Sequence, residues 1–328
     1  MNKKKIIKYF IIISIVFFIS LFEYPYYIDC PGGLDNLNNK VKVDNGYKAK
    51  GSINLTYVSQ IKATLPFILY AKLNPDWNIY KKNGKNEVLN YEDYMKREQI
   101  LMKQSYTSAI KYAYNAADKK VVVNSEKCYV IYKFNESKSN LEIGDQIISI
   151  GGKEINKCDD ISNIVSTKKE NDTINIVVKV NNKEENKEAT LIKYSDSLII
   201  GVQIGTEYVL ETEPKYKFKF NEKEYGPSGG LMIALAVYNS LVEVDITGGK
   251  KIAGTGTLDA SGNVGQIGGI EYKIKGAAKA KADVFFAPAG ENYEEALKIK
   301  KEKKYKMEIV EVKSFSDALD YLKNNVVK

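Results

Sequence analysis

The first long apolar block of the chain runs from Ile6 to Phe22, broken only by Lys8, Ser14 and Ser20 and preceded by Lys3, Lys4 and Lys5. As a helix it would rise roughly 25 Å, enough to cross a bilayer with Lys8 snorkelling to the interface. No small-residue cleavage site follows Phe18-Ile19-Ser20-Leu21-Phe22, so the pattern predicts an uncleaved, single-pass transmembrane anchor over residues 1–25. Basic residues before it and Glu23, Asp29 and Asp35 after it would put the N-terminus in the cytoplasm and the rest of the chain outside. Tyr24, Tyr26 and Tyr27 are then expected at the membrane interface.

Residues 26–118 form an N-terminal region with a strand from Ile53 to Ser59 after the Gly51-Ser52 turn. A long helix follows from Tyr91 to Ala117, and its tyrosine stripe at helical spacing predicts core packing. Over residues 119–195 the pattern shortens. Leu141, a Gly144-Asp145 turn, the apolar run Ile147–Ile150 and a Gly151-Gly152 turn precede a helix near Asp159–Ser166 and a strand Thr173–Val180. This order resembles a PDZ domain of the kind attached to bacterial proteases. The resemblance implies capture of extended peptides at a sheet edge. The polar stretch Asn135–Asn140 departs from the small, apolar residues usual before that leucine.

The last third holds a segment apolar on every face, Leu231–Val237, which reads as a buried helix entered through Gly226-Pro227-Ser228-Gly229-Gly230. Farther on, Ile270, Ile274, Ala277 and Ala280 share one helix face with Lys273, while Glu271, Lys275 and Lys279 point away.

Composition narrows the chemistry. The 328 residues contain no histidine, which removes Ser-His-Asp and Cys-His catalysis and His-ligated zinc together. The net charge of +8 comes from lysines interleaved with glutamates, with Arg97 the one arginine, so no nucleic-acid stripe is present. Cys30, Cys128 and Cys158 form no CxxC pair. A Cys128–Cys158 bridge is compatible with the sequence but not called for by it, and all three are read as structural. Neither a metal nor a cofactor is expected.

Ser228 sits where a helix N-terminus offers backbone N–H groups and a positive partial charge to an oxyanion. A serine there is more often a simple helix cap, so a partner is required. Lys273 is the candidate. An ammonium on an apolar face is poorly solvated, which lowers its pKa and makes a neutral amine accessible as a base.

The two segments together resemble the proteolytic domain of the Lon family, with its G-P-S-x-G and I-G-G-x-x-x-K motifs and a T-G-x-[IL] segment between them. The resemblance covers residues 196–328 and includes the strand and loop Phe285–Asn292. It makes Ser228 the nucleophile, Lys273 the general base, Thr255 a support for the lysine, and Gly226, Pro227 and Gly229 the frame of the nucleophile. Gly229 replaces a commoner alanine, and Tyr225 stands where relatives carry an acid or glycine. The whole chain is similar to the PDZ-Lon proteins of Gram-positive bacteria.

The expected fold is α+β and multidomain: a transmembrane helix, a β-rich PDZ domain and a Lon-type proteolytic domain. No G-x-x-x-x-G-K-[ST] loop occurs in the sequence. The expected function is therefore an ATP-independent, membrane-anchored extracytoplasmic serine endopeptidase with a Ser-Lys dyad. It would act on exported peptides or membrane-associated proteins. The family resemblance suggests ring-shaped homo-oligomers. The rival reading is an inactive PDZ scaffold that binds peptides at the cell envelope.

Overall fold

A computed structural model describes residues 3–81, 89–219 and 224–327. The chain opens with helix α1 (Lys3–Leu21), followed by strands β1 (Tyr26–Asn36) and β2 (Ser52–Lys62), the short helix α2 (Leu65–Leu73) and strand β3 (Asn78–Lys81). Helix α3 (Tyr91–Ala116) comes next, capped by the Asn90 side chain accepting the Asp93 N–H at 2.9 Å.

The expected transmembrane anchor is not found. Among the described residues, no helix is long and apolar enough to cross a membrane. The reason lies in α1 itself, whose sequence includes Lys3, Lys4, Lys5 and Lys8. Its charge-free part, Tyr9–Leu21, rises only about 20 Å against about 30 Å of hydrocarbon core. The single-pass topology and the orientation derived from it fall together. Two of the tyrosines assigned to a membrane interface begin β1 instead: Tyr26 packs beside Ile28 and Ala63, and Tyr27 is buried and stacks on Tyr91.

The PDZ segment is a seven-stranded sheet in which β4 (Lys120–Lys133), β5 (Gln146–Ile150), β6 (Thr173–Val180), β7 (Lys183–Thr190) and β8 (Val202–Glu213) are ordered β8-β4-β5-β6-β7. Helix α4 (Asp159–Val165) lies between β5 and β6 in sequence. The segment has its own core, built on Leu141, Ile147, Ile150, Ile176 and Val178. A disulfide links Cys128 in β4 to Cys158 at the start of α4, the pairing the sequence left open. Cys30 is free and buried.

The rest of the chain supplies α5 (Gly230–Leu241), β9 (Lys251–Gly254), α6 (Ile270–Lys279), β10 (Val284–Pro288), α7 (Glu291–Lys303), β11 (Glu308–Val312) and α8 (Phe315–Asn325). Helical crossovers make β9, β10 and β11 parallel, and β2 joins β9 in parallel before pairing antiparallel with β1. One sheet thus runs β11-β10-β9-β2-β1-β3 and draws on both ends of the sequence. The PDZ segment lies between those two parts in sequence.

Every residue from Leu231 to Val237 is buried, as their unbroken apolar run requires. Helix α5 packs between α3, through Ile110 and Tyr114, and the sheet, through Ile53 and Phe286. Helix α3 also carries the PDZ sheet on its flank: Gln104 Oε1 accepts the Thr206 N–H at 3.3 Å, and Thr107 Oγ1 accepts the Tyr208 N–H at 3.2 Å.

Candidate active site

The turn before α5 presents Ser228 without using it as a cap. Gly229 occupies the cap position and makes no side-chain capping bond. Gly226 has φ of 98°, a left-handed conformation costly for any residue with a Cβ, and Pro227 stiffens the next position. The loop is then tied down from outside. The Ser228 carbonyl accepts the Gly256 N–H at 2.8 Å and the Thr255 hydroxyl at 3.0 Å. Gly256 is itself confined, since φ is 144° and a Cβ there would lie 2.6 Å from Val264.

Helix α6 brings Lys273 to this loop from the far side. Its buried face holds Ile270, Ile274 and Ala277, as the helical spacing predicts, and Lys273 lies among them at 4 % exposure. Lys275 lies off that buried face, as the spacing predicts, and pairs with Asp76 at 2.8 Å. Lys273 Nζ donates to Ser228 Oγ at 2.9 Å and to Thr255 Oγ1 at 3.1 Å. Thr255 is fully buried. Burial pushes the Lys273 ammonium down to about 8, against a weaker opposing pull from Glu271. No carboxylate lies within salt-bridge distance of Lys273 among the described residues, so its charge is held only by two neutral hydroxyls and the weaker pull of Glu271. An amine so placed, once neutral, can accept a hydroxyl proton.

The structure thus brings Ser228, Lys273 and Thr255 together, framed by Gly226, Pro227 and Gly229. Among the described residues, the backbone N–H groups of Ser228 and Gly229 donate to no protein acceptor. They lie at the positive end of α5, where an oxyanion would be stabilised.

These groups open onto a cleft of about 1020 Å³. One wall is a single face of α3 carrying Tyr91, Tyr94, Glu98, Met102 and Ser105. The tyrosine stripe expected in the core therefore divides: Tyr114 is buried there, while Tyr91 and Tyr94 face the cleft. The other wall is β2 from Leu55 to Ile61. Pairing with β9 ends at Leu55, so beyond it that edge of β2 has no strand partner among the described residues. Tyr225 closes part of the rim, its hydroxyl donating to Gln60 at 3.3 Å and its ionisation pushed up to about 12 by burial.

Residues 222–324 match the family described as Lon protease (S16) C-terminal proteolytic domain, and residues 108–191 match the PDZ domain family. The Lon protease of Campylobacter jejuni is 37 % identical over 97 residues, which are 29 % of this chain and 12 % of that protein. The archaeal Lon protease of Halobacterium salinarum is 32 % identical over 95 residues, 29 % of this chain and 13 % of that protein. The match thus spans about an eighth of the length of these relatives. Among solved structures, the PDZ domain of an SdrC-like protein from Listeria innocua is similar at 26 % identity, covering 24 % of this chain and 92 % of that one, with a TM-score of 0.23. The chain thus carries a segment similar to PDZ domains and, C-terminal to it, one similar to the Lon proteolytic domain.

Proposed function

We propose that this chain, a PDZ-containing Lon-type protein, is an ATP-independent serine endopeptidase in which Lys273 activates Ser228. The 2.9 Å contact between Lys273 Nζ and Ser228 Oγ carries the reading. A neutral Lys273 takes the hydroxyl proton, Ser228 attacks the peptide carbonyl, and the N–H groups of Ser228 and Gly229 receive the oxyanion. Lys273 then returns the proton to the leaving amine, and water resolves the acyl-enzyme by the same route. Thr255 holds one N–H of the amine, which leaves the lone pair free to face Ser228.

The substrate is an extended or unfolded polypeptide. The free edge of β2 offers it backbone hydrogen bonds, and the PDZ domain offers a second place to hold a peptide. An inert scaffold would gain stability by replacing a lysine buried without a carboxylate, and this favours the catalytic reading. The test is degradation of casein by the full chain, by Ser228→Ala and by Lys273→Ala. Loss of cleavage in both variants is expected, and equal cleavage by all three would sink the dyad.

A further inference from the structure

Helix α3 holds the nucleophile loop at two points two turns apart. The Glu98 carbonyl accepts the Gly226 N–H at 3.2 Å, and the Ser105 hydroxyl donates to the Pro227 carbonyl at 2.7 Å. Ser105 is only 6 % exposed. A serine inside a helix commonly turns its hydroxyl back to a carbonyl of its own preceding turn. Ser105 instead spends its proton on a residue 122 positions away.

The carbonyl it grips belongs to the peptide that carries the Ser228 N–H. That peptide is planar and trans, since the cis bond among the described residues is Glu213-Pro214. In a trans unit C=O and N–H point in opposite directions. Fixing the Pro227 oxygen toward α3 therefore fixes the Ser228 N–H away from it. This is the donor without a protein acceptor beside the nucleophile.

We propose that Ser105 is a positioning residue that presets the oxyanion-binding N–H of Ser228. The inference rests on the reading of Ser228 as nucleophile and adds the part of the fold that orients its backbone. Without the hydroxyl, the Pro227–Ser228 peptide can rock about its flanking bonds, and a donor that must reorganise during reaction loses much of its electrostatic value.

The experiment uses the full chain and a fluorogenic casein. Ser105→Ala keeps helix propensity high and should still fold cooperatively, with a circular-dichroism melt lowered by a few degrees because the Pro227 carbonyl loses its donor. It is expected to lower kcat about tenfold with KM within about twofold, while the pH of half-maximal rate stays in place because Lys273 is untouched. Ser105→Cys, a weaker donor of similar size, should fall between alanine and parent. An unchanged kcat or a rise confined to KM would overturn the proposal. Ser228→Ala separates the two levels. Full activity there removes the nucleophile assignment itself, whereas an inactive Ser228→Ala beside a fully active Ser105→Ala removes the positioning role alone.

Discussion

Lys273 meets Ser228 at 2.9 Å across 45 residues of sequence, and the amine that makes the contact is buried while the serine faces the cleft. A surface lysine at the same distance would remain an ammonium and could only donate. Here α6 is anchored by Ile270 and Ile274 in the core, so the lysine stem cannot swing out to solvent without dragging the helix from its seat. Burial of the amine and its aim at the serine have one cause, the apolar face of α6.

The pH dependence of activity follows from this burial. Burial holds the Lys273 ammonium at about 8 rather than near 10.5, and in the proposed mechanism the neutral amine is the active form. At pH 7 about a tenth of the molecules carry the free amine, and at pH 9 about nine-tenths do. The rate kcat/KM on a fluorogenic peptide should rise about tenfold between those values and then level. A flat profile over that range would remove Lys273 as the base.

The same shift has a stability consequence of definite sign. Below about pH 8 folded and unfolded chains both hold the proton, and the folded state bears the cost of a buried ammonium. Between about 8 and 10.5 the folded state releases it while the unfolded state retains it, so stability rises with pH in that window. The full shift corresponds to about 3 kcal/mol, and the two hydrogen bonds of Nζ offset part of it. Lys273→Met should therefore be about 1–3 kcal/mol more stable than the parent at pH 7 in urea. The gap should close toward pH 10.5. A less stable methionine variant at pH 7 would contradict the burial argument.

The convergence of Ser228 and Lys273 was legible because each lies in a short segment with a mechanical reason for its positions, left-handed Gly226, rigid Pro227 and apolar spacing around Lys273, whereas Thr255 was marked only by the family resemblance. Other parts of the site leave no such trace. Strand β1 was hidden because Pro31-Gly32-Gly33 breaks the alternation of a strand. The structure places an irregularity in its register between Pro31 and Leu34. A Cβ on Gly32 would lie 2.2 Å from the Tyr57 carbonyl, so glycine there reflects close backbone approach rather than a turn. Ser105 was silent for another reason, since a single hydroxyl in a helix interior has no spacing signal and its partner is far away in sequence. The α1 pattern misled in the opposite direction. Its apolar residues suggest a span, but the lysines of its first two turns leave only Tyr9–Leu21 free of charge.

Thr255 offers a cleaner test of geometry than either dyad member. Its hydroxyl donates to the Ser228 carbonyl at 3.0 Å and accepts from Lys273 at 3.1 Å, so it joins both partners without reacting. Thr255→Val keeps the shape and removes the oxygen. The Ser228 carbonyl keeps the Gly256 N–H at 2.8 Å, which limits the stability loss to about 1 kcal/mol. A freed amine should lower kcat about tenfold with little change in KM. An unaltered kcat would leave Thr255 a structural role only.

The two glycines that flank Pro227-Ser228 should respond differently to alanine. At Gly229 φ is −96°, ordinary for any residue, and an added Cβ would lie 3.1 Å from a terminal carbon of Leu55, which can yield by a few tenths of an ångström. Gly229→Ala should cost about 1 kcal/mol, mainly through the poorer helix cap, and keep activity within about threefold. At Gly226 φ is 98°, and a Cβ there would meet little, its nearest neighbour being Glu98 Oε2 at 3.5 Å. The obstacle is therefore backbone strain of about 1–3 kcal/mol rather than crowding. The loop can relieve that strain only by rotating away from α3, which would break the Gly226 N–H bond to Glu98 and shift Ser228 from Lys273. Gly226→Ala should therefore lose more than tenfold in kcat while a thermal melt shows it folded. Similar activity in the two variants would mean that the left-handed turn does not set the position of Ser228.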